Sequence, residues 1–230
     1  GNIGSVRIGQ KIGIEKLKLF LTKINVINEI KFDIEEVGIP IPFKWGKCKL
    51  ATTSFGHGIT TTPLQLAKGY AIITNGGFDI DPTIIKNKKE KMIKYKKRLI
   101  RKDVSEKINP ILRKIVTTKE GTASLANISG YEVAGKTGTA EKIISGNYSP
   151  NKKINTFVSI FPISKPKHVL VVILDEPKMN KEYIYNYRDG SGFKLKGTPR
   201  NTSGWTSVEV AGHIIEKIGP ILATKYLEIN

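Results

Sequence analysis

The apolar residues near the start of the chain recur at the three- and four-residue spacing of an α-helix. This stripe lies within residues 6–24 and predicts a helix with one apolar face. Because a glycine inside a helix costs about 1 kcal/mol relative to alanine, we expect a break near Gly13. The stripe consists of Ile8, Ile12, Ile14, Leu17, Leu19, Phe20 and Leu21.

A second helix is predicted to begin after Thr62. The Thr62 side chain can cap its amino end, and Pro63 fits the first turn, where no backbone N–H is needed. Apolar residues continue at helical spacing up to Asn75-Gly76-Gly77, whose residues tolerate the left-handed conformation that ends a helix.

Two more helices are predicted further along the chain. Asp103 and Glu106 have the spacing of a capping box for a helix through about residue 116, with Pro110 as an imperfection. An amphipathic pattern over residues 206–222 predicts the last helix.

Three segments rich in β-branched and aromatic residues predict antiparallel strands at about 131–140, 155–162 and 168–175. The last strand is apolar throughout, which predicts burial on both faces. The polar stretch 141–154 is expected to be a long hairpin loop. Together with the helices, these strands give an α/β (α+β) fold class.

Two further segments lack periodicity. Residues 28–53 contain several glycines and prolines and predict an extended surface loop. Residues 177–204 predict a second loop, long enough to suggest a function. Its Tyr183–Arg188 part either rims a cleft, binds a partner or is solvated.

The chain carries 38 lysines and arginines against 20 acidic residues, a formal net charge of +18. Such a charge attracts polyanions. Nucleic-acid surfaces rely strongly on arginine, but only six of these 38 residues are arginine. We therefore favour a solvated lysine-rich surface, typical of an AT-rich genome, and expect no nucleic-acid partner. The densest basic run, residues 86–102, predicts a solvated strand pair or loop.

The sequence offers little for metal or cofactor chemistry. His57, His168 and His213 are far apart along the chain, and no C-x-x-C pattern accompanies them. The single Cys48 cannot form an internal disulfide. His57 lies between two glycines and predicts a turn residue rather than a general base. We expect no metal and no cofactor.

The string Lys136-Thr137-Gly138-Thr139 has the residue types that one wall of an acyl-transfer site needs. The lysine supplies positive charge, and the threonine hydroxyls offer hydrogen bonds to a carboxylate. Gly138 leaves room for a peptide backbone to approach. K-T-G is one of three motifs found in penicillin-binding proteins and class A β-lactamases, beside S-x-x-K and S-D-N.

The surrounding sequence resembles class B penicillin-binding proteins. Its most specific part is Ser54–Ala67 (SFGHGITTTPLQLA), and the form of its first five residues is closer to the septal, cell-division branch. Asn75–Gly77, Gly121–Ala123 and Gly135–Ala140 follow in the family's order. The resemblance covers nearly the whole chain.

This resemblance implies a peptidoglycan D,D-transpeptidase that cross-links stem peptides during septal cell-wall synthesis. In the family, the S-x-x-K serine attacks the penultimate D-Ala carbonyl of a D-Ala-D-Ala end, and β-lactams trap that serine. The implied fold is the penicillin-binding/β-lactamase-like transpeptidase fold, an antiparallel sheet with flanking helices beside a helical lobe. The resemblance also implies division proteins as partners and a place at the periplasmic face of the inner membrane, through an anchor outside this chain.

The chain departs from the family's motif order, which runs S-x-x-K, S-x-N, K-T-G. Gly1-Asn2 resembles the end of S-x-N, whose serine would precede Gly1. We therefore expect residues 1–230 to be the C-terminal portion of one transpeptidase domain, lacking the S-x-x-K helix and the first sheet strands. Such a fragment would be inactive alone and would require the missing N-terminal half of its own domain. The strand at 168–175 would then show an apolar edge.

Three S-x-x-K strings do occur, beginning at Ser149, Ser164 and Ser191. All three follow the K-T-G string, in the reverse of the family order, and lie in loop-like sequence. A catalytic S-x-x-K needs a helical turn to bring its two side chains together. We do not expect any of these serines to be the nucleophile.

The resemblance assigns roles to five residues. Lys136 and Asn2 are the catalytic candidates: Lys136 holds positive charge near the serine, and Asn2 orients the substrate peptide. Thr137 and Thr139 bind the substrate carboxylate, and Gly138 makes room for an extended substrate. The backbone N–H of Thr139 would complete an oxyanion hole.

Two alternative functions stay open on the sequence. One is a serine β-lactamase or β-lactam sensor of the same fold. The other is a non-enzymatic basic module that binds an anionic polymer.

Overall fold

The computed structural model describes residues 1–34, 38, 40–85 and 97–227, which divide into two units, Gly1–Val104 and Ser105–Asn230. Most of the predicted basic run lies outside the described residues. No helix in the described ranges is both long and apolar enough to cross a membrane.

The first unit is helical, and its first two helices meet at Gly13. The break that the sequence predicts there is confirmed, because Gly13 has a φ of 83°, a conformation that disfavours other residues. The predicted apolar stripe, however, buries little: Gly9 is the buried residue of the first helix, and the second has none. The helices of this unit are α1 (Asn2–Ile12), α2 (Ile14–Lys23), α3 (Lys47–Thr53) and α4 (Pro63–Thr74).

Helix α4 begins where the sequence predicts. The Thr62 hydroxyl accepts from the Gln65 N–H at 3.2 Å, and the Gln65 side chain accepts from the Thr62 N–H at 2.6 Å, which completes a capping box. Ile72 of this helix is fully buried against Ile24 and Ile100, the core of the first unit.

Helix α3 corrects the prediction of a continuous loop over residues 28–53. It has seven residues and begins after Gly46, with Leu50 buried. A helix this short presents two turns, too few for an apolar stripe to stand out, and one buried leucine holds it.

The second unit places a three-stranded antiparallel sheet, in the order β1–β2–β3, against a long C-terminal helix. Helix α5 crosses the division between the units and continues through Pro110, and because it begins at Lys102, Asp103 lies within its first turn rather than at the cap. The remaining elements are α5 (Lys102–Thr117), β1 (Ala134–Ile144), β2 (Asn147–Phe161), β3 (His168–Asp175), β4 (Ile184–Asn186), β5 (Lys194–Lys196) and α6 (Ser207–Leu227), with short 3₁₀ turns at Ser124–Ala126 and Ser203–Trp205.

The hairpin between β1 and β2 is tighter than predicted. Residues 141–154 are strand rather than loop, apart from a two-residue turn at Ser145-Gly146. Both turn residues have positive φ, 50° and 83°, which suits the twist of a two-residue hairpin. Polar side chains on both exposed strands concealed this pairing in the sequence.

Phe157 is the largest fully buried side chain and lies in the core between the sheet and α6. Gly135 lies beside its ring: a Cβ at this position would come 2.7 Å from the Phe157 ring and 2.3 Å from the Val158 carbonyl oxygen. The β1–β2 contact therefore depends on a large residue packed diagonally across from a residue without a side chain. In β2 burial is continuous from Phe157 to Phe161, so both faces of this end of the strand are covered.

The prediction that the third strand is buried on both faces is wrong. Val172 of β3 is buried, whereas Ile173 is 39% exposed. Within the described residues β3 is an edge strand, paired to β2 alone, and α6 covers one of its faces. The expected apolar edge is therefore present.

The predicted loop at 177–204 is anchored rather than solvated. It contains the β4–β5 hairpin, and Arg188 is buried in an ion pair with Glu209 of α6 at 2.8 Å. Burial disfavours the guanidinium charge, but hydrogen bonds and charges from Glu209 and Glu216 outweigh it and raise the pKa of Arg188. Tyr183 donates to Glu209 at 2.9 Å, and desolvation together with that carboxylate raises the Tyr183 pKa to about 12.

Replacing Phe157 with alanine should lower the free energy of unfolding of the Ser105–Asn230 unit by about 3–5 kcal/mol, because it opens a cavity in a fully buried site. Amide hydrogen exchange of β2 at increasing urea concentration measures this energy. Ile143→Ala, at a 61% exposed position of β1, is the matched control and should change it by less than about 0.5 kcal/mol. A loss below about 1 kcal/mol for Phe157→Ala would contradict the core described here.

Candidate active site

Strand β1 presents the K-T-G string on two faces. Successive side chains of a strand point to opposite sides of the sheet. Thr137 and Thr139 share a face with Phe157 and Asn155, their cross-strand partners. Lys136 and Gly138 belong to the other face.

The threonine face opens onto a cavity of about 380 Å³. Six lining residues carry hydroxyl groups, one is a cation, and none is a carboxylate. Such a lining offers hydrogen-bond donors and positive charge, which suits an anionic ligand. The lining residues are Gly121, Thr122, Ser124, Leu125, Thr137, Thr139, Arg200, Thr202, Ser203, Gly204 and Trp205.

The cavity wall opposite β1 comes from the turn after α5 and the loop before α6. The hydroxyls of Thr122 and Thr137 are 2.8 Å apart and hydrogen-bonded. Gly204 lies so close to this turn that a Cβ would come 2.6 Å from the Thr122 carbonyl oxygen. The close approach of these two loops defines the width of the cavity.

Ser203 ties the loop before α6 to the sheet. Its buried hydroxyl donates to the Gly138 carbonyl of β1 and accepts from the Thr156 N–H of β2 at 3.2 Å. Gly138 and Thr156 are register partners, so one hydroxyl bridges the two strands at the K-T-G string. Sequence reasoning missed Ser203, because a serine in a polar loop carries no motif signal.

The same serine engages Thr139. The two hydroxyls are 2.9 Å apart, and the Ser203 N–H donates to the Thr139 hydroxyl at 3.0 Å. Ser203 has one hydroxyl proton, which it donates to the Gly138 carbonyl, so Thr139 must donate its own proton to Ser203. In this arrangement the Thr139 hydroxyl has no proton left for a carboxylate, whereas the Thr122–Thr137 pair keeps one.

Lys136 is exposed, and its ammonium donates to the Thr137 carbonyl at 2.7 Å. Partial desolvation by neighbouring protein atoms lowers its pKa. None of the ion pairs in the described ranges includes Lys136. This ammonium is therefore available to an anion.

Gly138 differs from Gly135 in what surrounds it. A Cβ at Gly138 would have its nearest neighbour at 3.9 Å, an ordinary contact, whereas one at Gly135 would clash with backbone and ring. Packing therefore requires a glycine at 135 but not at 138. The missing side chain at 138 leaves open space beside the strand.

Asn2 is the exposed first residue of α1 and belongs to the other unit, so its part in the site stays a prediction. His57 lies in a turn between Gly56 and Gly58, which have φ of 82° and 73°, as predicted for a turn residue. Its N–H donates to the Thr52 carbonyl at 3.0 Å.

None of the three S-x-x-K strings lies in a helix. Ser149 is in β2, Ser164 follows β2, and Ser191 lies between β4 and β5. Ser164 is instead hydrogen-bonded to Glu132. In the described part of the chain, no three histidine, cysteine or acidic side chains cluster as metal ligands would.

The match to a known family covers most of the chain. Residues 1–190 match the penicillin-binding protein transpeptidase domain family. The chain is 29% identical over 232 residues to the probable peptidoglycan D,D-transpeptidase FtsI of Caulobacter vibrioides, covering 97% of this chain and 37% of that protein. It is 33% identical over 189 residues to the stage V sporulation protein D of Bacillus subtilis, covering 77% and 29% respectively. The chain thus spans about a third of these relatives.

Solved structures show the same fold. The transpeptidase domain of penicillin-binding protein 3 from Burkholderia pseudomallei superposes with a TM-score of 0.78 at 24% identity, over 96% of this chain and 61% of that one. Penicillin-binding protein 3 from Mycobacterium tuberculosis, in complex with aztreonam, gives 0.75 at 24% identity, over 95% and 50%. With its match over 190 of 230 residues and its FtsI-type relatives, the chain belongs to the penicillin-binding protein transpeptidase domain family, in its class B, septal branch.

Proposed function

We propose that this chain supplies the K-T-G half of the active site of a peptidoglycan D,D-transpeptidase that acts in septal cell-wall synthesis. The observation that carries the proposal is the cavity on the threonine face of β1, where hydroxyls and one cation line the wall without any carboxylate. The acyl-donor peptide in this reaction ends in D-Ala-D-Ala and carries a terminal carboxylate. A cavity wall with hydroxyl donors and a positive charge suits that carboxylate.

The reaction proceeds in two acyl transfers. A serine Oγ bonds to the penultimate D-Ala carbonyl carbon, the amide bond to the terminal D-Ala breaks, and the serine proton ends on the departing amine. An amine of a second stem peptide then attacks the ester, forms the cross-link and restores the serine hydroxyl. β-Lactams enter by the same first step, because their strained amide takes the place of the scissile bond.

We place the nucleophilic serine outside residues 1–230, in the preceding part of the same transpeptidase domain. Two observations support this placement. The S-x-x-K strings of the chain lie outside helices, and the chain spans 37% of its Caulobacter relative. The N-terminal half of the domain is then the first partner of this chain.

We place the substrate along the edge of β1 that does not pair with β2 in the described residues, where side chains of both faces can reach it. The Lys136 ammonium stabilises negative charge that develops on the attacked carbonyl, and the Thr137 hydroxyl donates to the substrate carboxylate. The Thr139 N–H serves as an oxyanion donor, while its hydroxyl fixes the strand to Ser203. Gly138 admits the extended substrate beside the strand. Asn2 orients the substrate peptide from the first unit.

The proposed cellular setting follows from the same function. Stem peptides are cross-linked outside the inner membrane, so we place the domain on the periplasmic face, held by an anchor outside this chain. Division proteins are the expected partners. The FtsI relative is named a transpeptidase, which favours cross-linking over β-lactam hydrolysis or polymer binding.

Gly138→Val should block acylation while the domain stays folded. Its side chain would enter the open space beside β1, where the nearest atom lies 3.9 Å from the Cβ position. We expect the rate of labelling of the full-length protein by a fluorescent penicillin to fall tenfold or more, a barrier increase of about 1.4 kcal/mol, with a nearly unchanged melting temperature.

Two control variants separate a block of substrate binding from a loss of folding. Gly135→Ala should fail to fold, because its Cβ would come 2.3 Å from a backbone oxygen, and the exposed Ile143→Ala should label like the wild type. Labelling of Gly138→Val at the wild-type rate would count against substrate approach along β1.

Lys136 should determine the alkaline side of the pH profile for acylation. Its ammonium is charged below its pKa and loses the charge as the pH rises through it, and desolvation lowers that pKa. The rate of acylation by an anionic β-lactam should therefore begin to fall at a lower pH than it would if Lys136 had the pKa of an ordinary lysine. Lys136→Arg should move the decline to higher pH, since a guanidinium stays protonated. If the acylation rates of the wild type and of Lys136→Arg fall over the same alkaline pH range, Lys136 is ruled out as the titrating group.

A further inference from the structure

We propose that Arg200 binds the substrate's terminal carboxylate and makes the site selective for donors that carry one. This inference rests on the proposed function and adds a specificity-determining residue that no motif in the sequence marks. Arg200 lies in the loop before α6, 61 residues after Thr139 in the sequence, yet lines the same cavity.

Charge within the cavity comes from Arg200 alone. Among the lining residues it is the one with an ionisable side chain. The alternation of β1 assigns Lys136 to the opposite face from Thr137, and Lys136 is not among the lining residues. A carboxylate held by the threonine face would therefore find its cation in Arg200.

The six lining hydroxyls have at most three protons for a ligand, one from the Thr122–Thr137 pair and those of Ser124 and Thr202, fewer than the acceptor positions of a carboxylate. Thr139 donates its proton to Ser203, and Ser203 donates its own to the Gly138 carbonyl. The Thr122–Thr137 pair has two protons, of which one joins the two hydroxyls. A carboxylate has about four acceptor positions, and a guanidinium carries five donors in a fork that matches it.

The two arginines of this loop have opposite surroundings. Arg188 is buried and uses four of its five donors within the fold: it donates to both Glu209 oxygens, to Glu216 and to the Leu125 carbonyl. In the described residues, no hydrogen bond or ion pair involves the exposed Arg200 side chain. Arg188 stabilises the fold, whereas the donors of Arg200 are available to bind a ligand.

The backbone that carries Arg200 is well anchored. The Arg200 carbonyl accepts from the Thr202 N–H at 2.9 Å. The adjacent Asn201 donates to the Pro177 carbonyl at 2.7 Å and accepts from the buried Asn155 of β2 at 2.9 Å. The loop therefore holds the base of the arginine at a fixed place beside the sheet, which lowers the entropy lost on binding.

The test compares two β-lactams on the full-length protein: one with a free carboxylate and its neutral methyl ester. The measured quantity is the ratio of their second-order acylation rate constants. Arg200→Gln should lower this ratio about tenfold or more, because it removes a charge-assisted pair, and should leave the ester rate within about twofold. Arg200→Lys keeps the charge without the fork and should give an intermediate ratio.

Lys194→Gln is the matched control, with the same charge change at an exposed position of β5 outside the cavity. It should leave the ratio unchanged. An unchanged ratio in Arg200→Gln, or an equal fall in both rates, would overturn the assignment of Arg200 while leaving the proposed function standing. A wild-type protein that neither compound acylates would overturn the proposed function and this inference with it.

Discussion

The register of β1 on β2 is the constraint on which the site depends. Thr137 pairs with Phe157, and Gly135 lies beside the Phe157 ring, so this large, fully buried side chain fits where β1 has no side chain. A slip of one residue would turn both threonines to the other face of the sheet. It would also place a side chain against the ring. The core thus determines which face of the K-T-G string is presented to the cavity.

The loop before α6 adds a second constraint through polar contacts. Ser203 bridges the two strands and accepts a hydrogen bond from the Thr139 hydroxyl, while Arg188 joins the same loop to α6 through Glu209. A buried ion pair contributes little net stability unless its remaining donors are satisfied, and here two further donors of Arg188 bind Glu216 and the Leu125 carbonyl. The main effect of the Arg188–Glu209 pair is on geometry, because it holds in place the loop that carries Arg200.

The sequence predicts the structural elements whose formation depends on residues close together in the chain. The break at Gly13, the cap at Thr62 and the strand at 168–175 each follow from neighbouring residues. The short helix at Lys47–Thr53 and the strand pairing within 141–154 were missed, because one buried leucine and a two-residue turn leave weak patterns. The K-T-G string could be located, but not the division of its residues between two faces.

The rest of the site depends on contacts between distant parts of the chain. Ser203 and Thr139 are 64 residues apart, and Thr122 and Thr137 belong to different elements. Serine, threonine and arginine in polar loops are common at solvated surfaces, so nothing in the sequence distinguishes these. The exposure of Ile173 could not be predicted either, since an apolar strand at the edge of a sheet has the same sequence pattern as one at its centre.

We propose that the attacking serine lies outside this chain, which supplies the anion-binding wall. The most direct test of this proposal is to acylate the full-length protein with a β-lactam, digest it and identify the modified residue by mass spectrometry, with the 230-residue chain treated in parallel. We expect one acylated serine, in sequence that precedes residue 1, and no uptake by the isolated chain. An acyl group on any residue of 1–230 would contradict the account.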